Sequence, residues 1–128
     1  MLFIFLLFVT RKPCITPAEF KSHYTKHVEL VQSIAGEAFP LTHTRHYIDR
    51  TNNNGSWDAT VLIGTQEDFT YDGIAELVFP SKTAFETFYS IISAPEAAAK
   101  IAADEETFIL RDKMRVVVIG DKTITTKE

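Results

Sequence analysis

One cysteine, Cys14, is all that the 128 residues contain, so no internal disulfide can form. A fold stapled by bridges is excluded, and the lone thiol predicts a reducing, cytoplasmic setting. The five glycines form no phosphate-cradling loop ahead of a helix, and the sequence has neither a paired CxxC nor a GxSxG elbow. Nucleotide or flavin binding through the common motifs is therefore not expected, and no cofactor is predicted. A basic stripe is missing too. Thirteen Lys and Arg against seventeen Asp and Glu leave a net charge of −4, which argues against a nucleic-acid partner. The opening run MLFIFLLFV falls far short of the ~20 apolar residues that a membrane helix needs. No basic residue precedes it and no small-residue cleavage site follows, so it reads as a buried strand and no membrane partner is expected.

What the chain has in plenty is apolar surface. Ten Phe, four Tyr and a 45% hydrophobic content predict one compact domain, residues 1–120, followed by a polar tail, 121–128. The stretch Thr16–Gly36 organises the rest. Thr16 as N-cap, Pro17 at the first helical position and Glu19 three residues after the cap form a helix start signal, and Gly36 is suited to the stop. Between them Phe20, Tyr24, His27, Val31 and Ile34 recur at helical spacing and make one inward face. That face carries a phenol and an imidazole in its middle.

The first strand runs from Leu2 to Val9 and the second from Leu41 to Asp49. TNNNGSWD reads as a polar loop, and Ala59–Gly64 as a short strand or a surface loop. A third strand is expected at Gly73–Phe79. A second helix opens at Ser81 with Phe85, Phe88, Tyr89 and Ile92 as its stripe. Pro95 restarts the helix, and Met114–Gly120 is the fourth strand. The order β-α-β-β-α-β predicts an α+β, ferredoxin-like fold, a four-stranded antiparallel sheet with its helices on one face. The first and fourth strands are apolar on both faces. The bare face would exceed what a monomer usually exposes, so two sheets are expected to pack together in a dimeric α+β barrel.

Several polar residues stand out against this frame. A buried imidazole can exchange a proton near neutral pH, which singles out His27. His23 lies one turn away, but YTK between the two lacks the Glu of a zinc-protease helix, and no metal site is predicted. Alternation puts His43, Arg45 and Tyr47 on one face of the second strand and His46 on the other, with either face open to the helices. Arg45 could hold an acidic group by a two-pronged contact. Glu76 shares a strand face with Ile74 and Val78 and must be paired, a structural ion pair being the expected reading. Asp68, Asp72 and the run Asp104-Glu105-Glu106 read as solvated charges without a role.

The segment RKPCITPAEFKSHYTKHVELVQSIAGEAFPLTHTRHYI, with YDGIAELVF, APEAAAKIAADEETFI and RVVVIG, resembles the EthD-domain proteins of fungi. Cys14, Glu29 and His46 depart from that pattern, which more often has Gly, Pro and Arg there. The resemblance implies the dimeric α+β barrel and tailoring chemistry on aromatic polyketides, without a cofactor. A decarboxylase is the expected reaction, with His27 as general acid, Tyr24 as its partner and His43 or His46 as a second donor. Arg45, His46, Tyr47, Glu76, Phe20 and Phe85 would contact a small aromatic substrate. A polyketide cyclase or dehydratase, an oxygenase converting an anthrone to a quinone, and a non-catalytic module holding a hydrophobic metabolite are the alternatives.

Overall fold

The computed structural model describes residues 1–128. Its first helix starts where the capping signal sits. The Glu19 N–H donates to the Thr16 hydroxyl at 3.1 Å, and the Thr16 N–H donates to the Glu19 carboxylate at 2.9 Å. Helix α1 then runs over Pro17–Ala35, and Gly36 leaves it at a φ of +58°, a conformation that costs glycine little. The other elements are β1 (Phe3–Val9), β2 (Thr42–Tyr47), β3 (Arg50–Asn53), β4 (Ser56–Ala59), β5 (Gly73–Phe79), α2 (Lys82–Ile92), α3 (Pro95–Glu105) and β6 (Arg115–Ile119). No helix is long and apolar enough to cross a membrane.

Strands β2, β5, β1 and β6 lie side by side in that order, and every neighbouring pair is antiparallel. This is the α+β ferredoxin-like fold expected from the element order. Phe5 on β1 and Ala75, Leu77 and Phe79 on β5 meet Phe88 of α2 and Ala35 of α1 in one buried cluster. A second cluster joins Val9 to Phe20, Tyr24 and Val28 of α1 and to Phe108 and Ile109, just after α3. The two clusters do not merge. Between them, under the helices, lies a cavity of about 400 Å3.

The other face of the sheet carries Leu6 and Phe8, Ile74 and Val78, Val117 and Ile119; the alternate residues of β1 and β5 meet the helices, whereas Val116 and Val118 of the edge strand β6 are more than half exposed. No helix covers it. Val117 is half exposed. Glu76 sits among these residues, and both its oxygens accept from the Lys122 ammonium at 3.0 Å. That is the structural ion pair expected for Glu76, supplied by the tail.

Two expectations are corrected. TNNNGSWD is a β-hairpin, β3 and β4, and not an irregular loop. Asn54 and Gly55 both take positive φ, +54° and +90°, as a tight two-residue hairpin turn demands. The segment Ala59–Gly64 adds no further strand; beyond Ala59 it carries Leu62 and Ile63 out into solvent. The second correction is Asp72, which is buried and not solvated. Its carboxylate accepts the Arg11 N–H at 2.8 Å, and Arg50 Nε lies 2.7 Å from Oδ1, an ion pair whose angle falls short of a hydrogen bond. The Arg50 guanidinium also donates to the carbonyls of Trp57, Phe69 and Tyr71, which ties the hairpin and the following loop to the end of the sheet. Removing one member of such a group leaves an uncompensated buried charge.

Candidate active site

Helix α1 hangs Tyr24 and His27 over the cavity because they lie about one and two turns along the stripe that Phe20 begins. The His27 side chain is 8% exposed, and its Nδ1 lies 2.7 Å from Asp104 Oδ2. Its Nε2 lies 3.7 Å from Glu105 Oε2, beyond hydrogen-bond reach. Glu105 lines the cavity and is held from behind by Arg111, whose Nε donates to Oε1 at 3.1 Å. These carboxylates, read from sequence as solvated, are therefore part of the site. Three acidic residues in a row resemble a solvent face, and only the packing of the end of α3 against α1 shows otherwise. One local signal was available. Acidic residues at a helix C-terminus oppose the helix dipole, and no basic residue in the last turn of α3 offsets them.

The register of β2 settles which of its faces meets the helices. His43 pairs with Leu77 and Arg45 with Ala75, both buried under the helices, so His43, Arg45 and Tyr47 point that way. His43 Nδ1 lies 3.2 Å from an Arg45 guanidinium nitrogen. A guanidinium only donates, so Nδ1 accepts and the imidazole proton resides on Nε2. Burial, reinforced by the Arg45 charge, pushes the His43 pKa down to about 4, which makes it a neutral donor at pH 7. Tyr24 is 2% exposed and its hydroxyl has no partner in the protein. Burial, with Tyr47 adding to it and Arg45 opposing, raises the Tyr24 pKa well above the usual phenol range, so its hydroxyl stays protonated.

Of the other residues expected to contact substrate, Phe85 lines the cavity. Arg45, Tyr47 and Phe20 stand behind it. Arg45 Nε donates to the Tyr47 hydroxyl at 3.3 Å, and its guanidinium lies 5.6 Å from the Tyr24 ring centroid. Phe20 is fully buried with its centroid 5.8 Å from that of Tyr24. These three support His43 and Tyr24. His46 and Glu76 occupy the opposite face of the sheet, outside the cavity, which corrects their assignment as substrate contacts. His23 is exposed and stacks on Phe108 at 6.1 Å.

The remaining lining is apolar, from Leu7, Val31, Phe88, Ile92, Ile101 and Met114 among others, and contains no Lys or Arg. The site thus brings one imidazole flanked by carboxylates and the neutral side chains of Tyr24 and His43 to the wall of a largely apolar cavity.

Comparison with curated protein sequences finds no significant match. Solved structures share the fold at low identity. A mutant of SnoaB, a cofactor-independent oxygenase from Streptomyces nogalater, is 14% identical with a TM-score of 0.55, and the match covers 98% of each chain. A protein from Arabidopsis thaliana is 16% identical with a TM-score of 0.59, over 97% of this chain and 99% of that one. A dimeric ferredoxin-like protein of unknown function from Thermobifida fusca is 13% identical with a TM-score of 0.55, over 93% and 90%. The family model described as the EthD domain matches residues 12–112, most of the chain and all of the cavity-bearing helices, and the chain belongs to the EthD domain family.

Proposed function

We propose that the protein is a cofactor-free acid–base enzyme acting on a flat aromatic, polyketide-like substrate in the cytoplasm. One observation carries this reading: a carboxylate-held imidazole and two neutral donors converge on an otherwise apolar cavity. Such a cavity suits an aromatic ring system fixed by a few hydrogen bonds. His27 exchanges a proton with a substrate carbon next to a carbonyl. The electron pair left behind moves onto the carbonyl oxygen, where the Tyr24 hydroxyl and the His43 Nε2–H donate to the developing enolate. Donors already in place as charge develops, in a largely apolar site, are worth more than the same groups in solution.

The lining also bears on the reaction type. No Lys or Arg reaches the cavity, so a substrate carboxylate would meet no cation, whereas a neutral ketone needs none. The reading best supported is proton abstraction from such a ketone by His27. The resulting enolate is the species that dioxygen would oxidise, the kind of activity named for SnoaB. Decarboxylation is the second reading, favoured by the apolar lining that would strip water from a carboxylate. There the C–C electron pair flows into the enolate as CO2 leaves, and His27 returns a proton to the carbon.

The test uses an anthrone-type ketone and the same ring system bearing a carboxylate, followed by oxygen uptake, CO2 release and exchange of the acidic C–H in D2O. Exchange or oxygen uptake supports proton abstraction, and CO2 release supports the second reading. Tight binding with none of the three would mark a binding module and overturn both.

The apolar open face further supports a homodimer formed by packing sheet on sheet, the arrangement that would take Leu6, Phe8 and Val117 out of water. Light scattering should give twice 14.5 kDa, and a stable monomer at micromolar concentration would refute it.

A further inference from the structure

The two nitrogens of His27 meet different surroundings, and the difference assigns them different work. Nδ1 faces Asp104 at 2.7 Å, within the range of a charge-assisted hydrogen bond. Nε2 lies on the side of Glu105, a cavity-lining residue 3.7 Å away and too far for a direct bond. An ionised carboxylate only accepts, so the hydrogen between His27 and Asp104 belongs to Nδ1. Asp104 does not line the cavity, and its side chain is 37% exposed, so it reaches substrate only through His27. Its place at the negative end of α3 gives no local gain to the helix. The residue is 77 positions from His27 in sequence, so the contact is made by the tertiary fold alone.

We infer that Asp104 is the positioning residue of this site: it holds His27 with the proton on Nδ1 and so leaves Nε2 as the nitrogen that works in the cavity. Which ring nitrogen carries the proton is set by the hydrogen bond that the other makes. Without Asp104 the neutral ring is free to place its proton on Nε2, the form an unconstrained histidine side chain prefers. Nε2 would then have no lone pair with which to accept a proton. The inference rests on the reading of His27 as the acid–base group, but its first test does not depend on turnover.

That test is nitrogen-15 NMR of the histidine rings in the ligand-free protein. Four histidines keep the spectrum simple, and His27→Gln identifies the ring. The wild type should show the proton on Nδ1, and Asp104→Ala should move it to Nε2. Alanine suits a helix end that is partly exposed, and Asp104→Ser repeats the deletion with a different side chain. In steady state, Asp104→Ala should lower kcat by roughly tenfold or more with KM little changed, since only proton transfer is impaired. Asp104→Glu should recover part of the rate. A tautomer that stays on Nδ1 in both deletion variants would overturn the inference, as would an unchanged kcat. If no tested substrate turns over in the wild type, the functional reading fails, and the tautomer shift still decides the role of Asp104.

Discussion

Tyr24→Phe should make the protein more stable and less active at once. The ring is buried against Phe20 and Phe108, with centroids 5.8 and 5.7 Å away, and phenylalanine keeps those contacts. Only the hydroxyl is lost, and in the folded protein that hydroxyl is buried without a partner. Leaving a buried hydroxyl unbonded costs about 1–3 kcal/mol, so its removal should return a good part of that. A gain of ~1–2 kcal/mol corresponds to roughly 4–7 °C in Tm for a chain of this size. The same hydroxyl is one of two donors for the substrate oxygen. Its loss should lower kcat/KM by about tenfold, the worth of one hydrogen bond near 1.4 kcal/mol. Urea melts and steady-state rates on the same preparations read both effects. A ligand with an acceptor oxygen should also raise the melting temperature of the wild type more than that of the variant. If Tyr24→Phe destabilised the protein, the hydroxyl would have to be bonded already, and the idea that it waits for a ligand would fail.

His27→Ala should keep its circular dichroism and lose at least a hundredfold in kcat, about 3 kcal/mol of barrier; near-wild-type rates would remove His27 from the chemistry. Asp72→Ala strands Arg11 and Arg50 without their shared carboxylate and should cost roughly 3–5 kcal/mol in urea melts, with the hairpin loosened first. The His43 pKa of about 4 lies below its ordinary 6.5, so the unfolded chain binds a proton sooner than the folded one as pH falls. The stability held by neutral His43 should therefore be complete above pH 6.5 and be lost on descent through pH 4, by up to ~3 kcal/mol; His43→Gln should flatten that slope in pH-dependent melts.

How legible all this was in the sequence depends on the range of the interaction that fixes each part. Helix α1 was readable to the residue because a capping box and a stop glycine are local devices, complete within a few positions. The sheet was readable because β1 and β5 are long and strongly apolar. The β3–β4 hairpin was missed although Asn54-Gly55 is a strong turn signal, because its strands, RTNN and SWDA, are too polar to show alternation. The face of β2 stayed open until its register to β5 was known, since alternation tells two faces apart without saying which is inner. Asp72, Asp104 and Glu105 were misread for one common reason. Each lies against a residue far along the chain, Asp72 against Arg11 and the other two against His27, and the one local sign, acidic residues at the C-terminus of α3, does not name the distant partner.

Folding alone gives little reason for the polar groups in the middle of this core. Tyr24 buries a hydroxyl without a partner, and His43 is held neutral at a cost that grows as pH falls. Both stand where α1 and β2 would pack well with Phe or Leu, and the two apolar clusters on either side could then close into one. They remain apart around about 400 Å3 of space instead. A pocket of that size leaves its apolar wall without packing partners, so it adds nothing to the stability of the fold. A ligand that fills the space and accepts from Tyr24 and His43 would reverse each of these costs together. That shared reversal, more than any single residue, is why the cavity is the place to look for the activity.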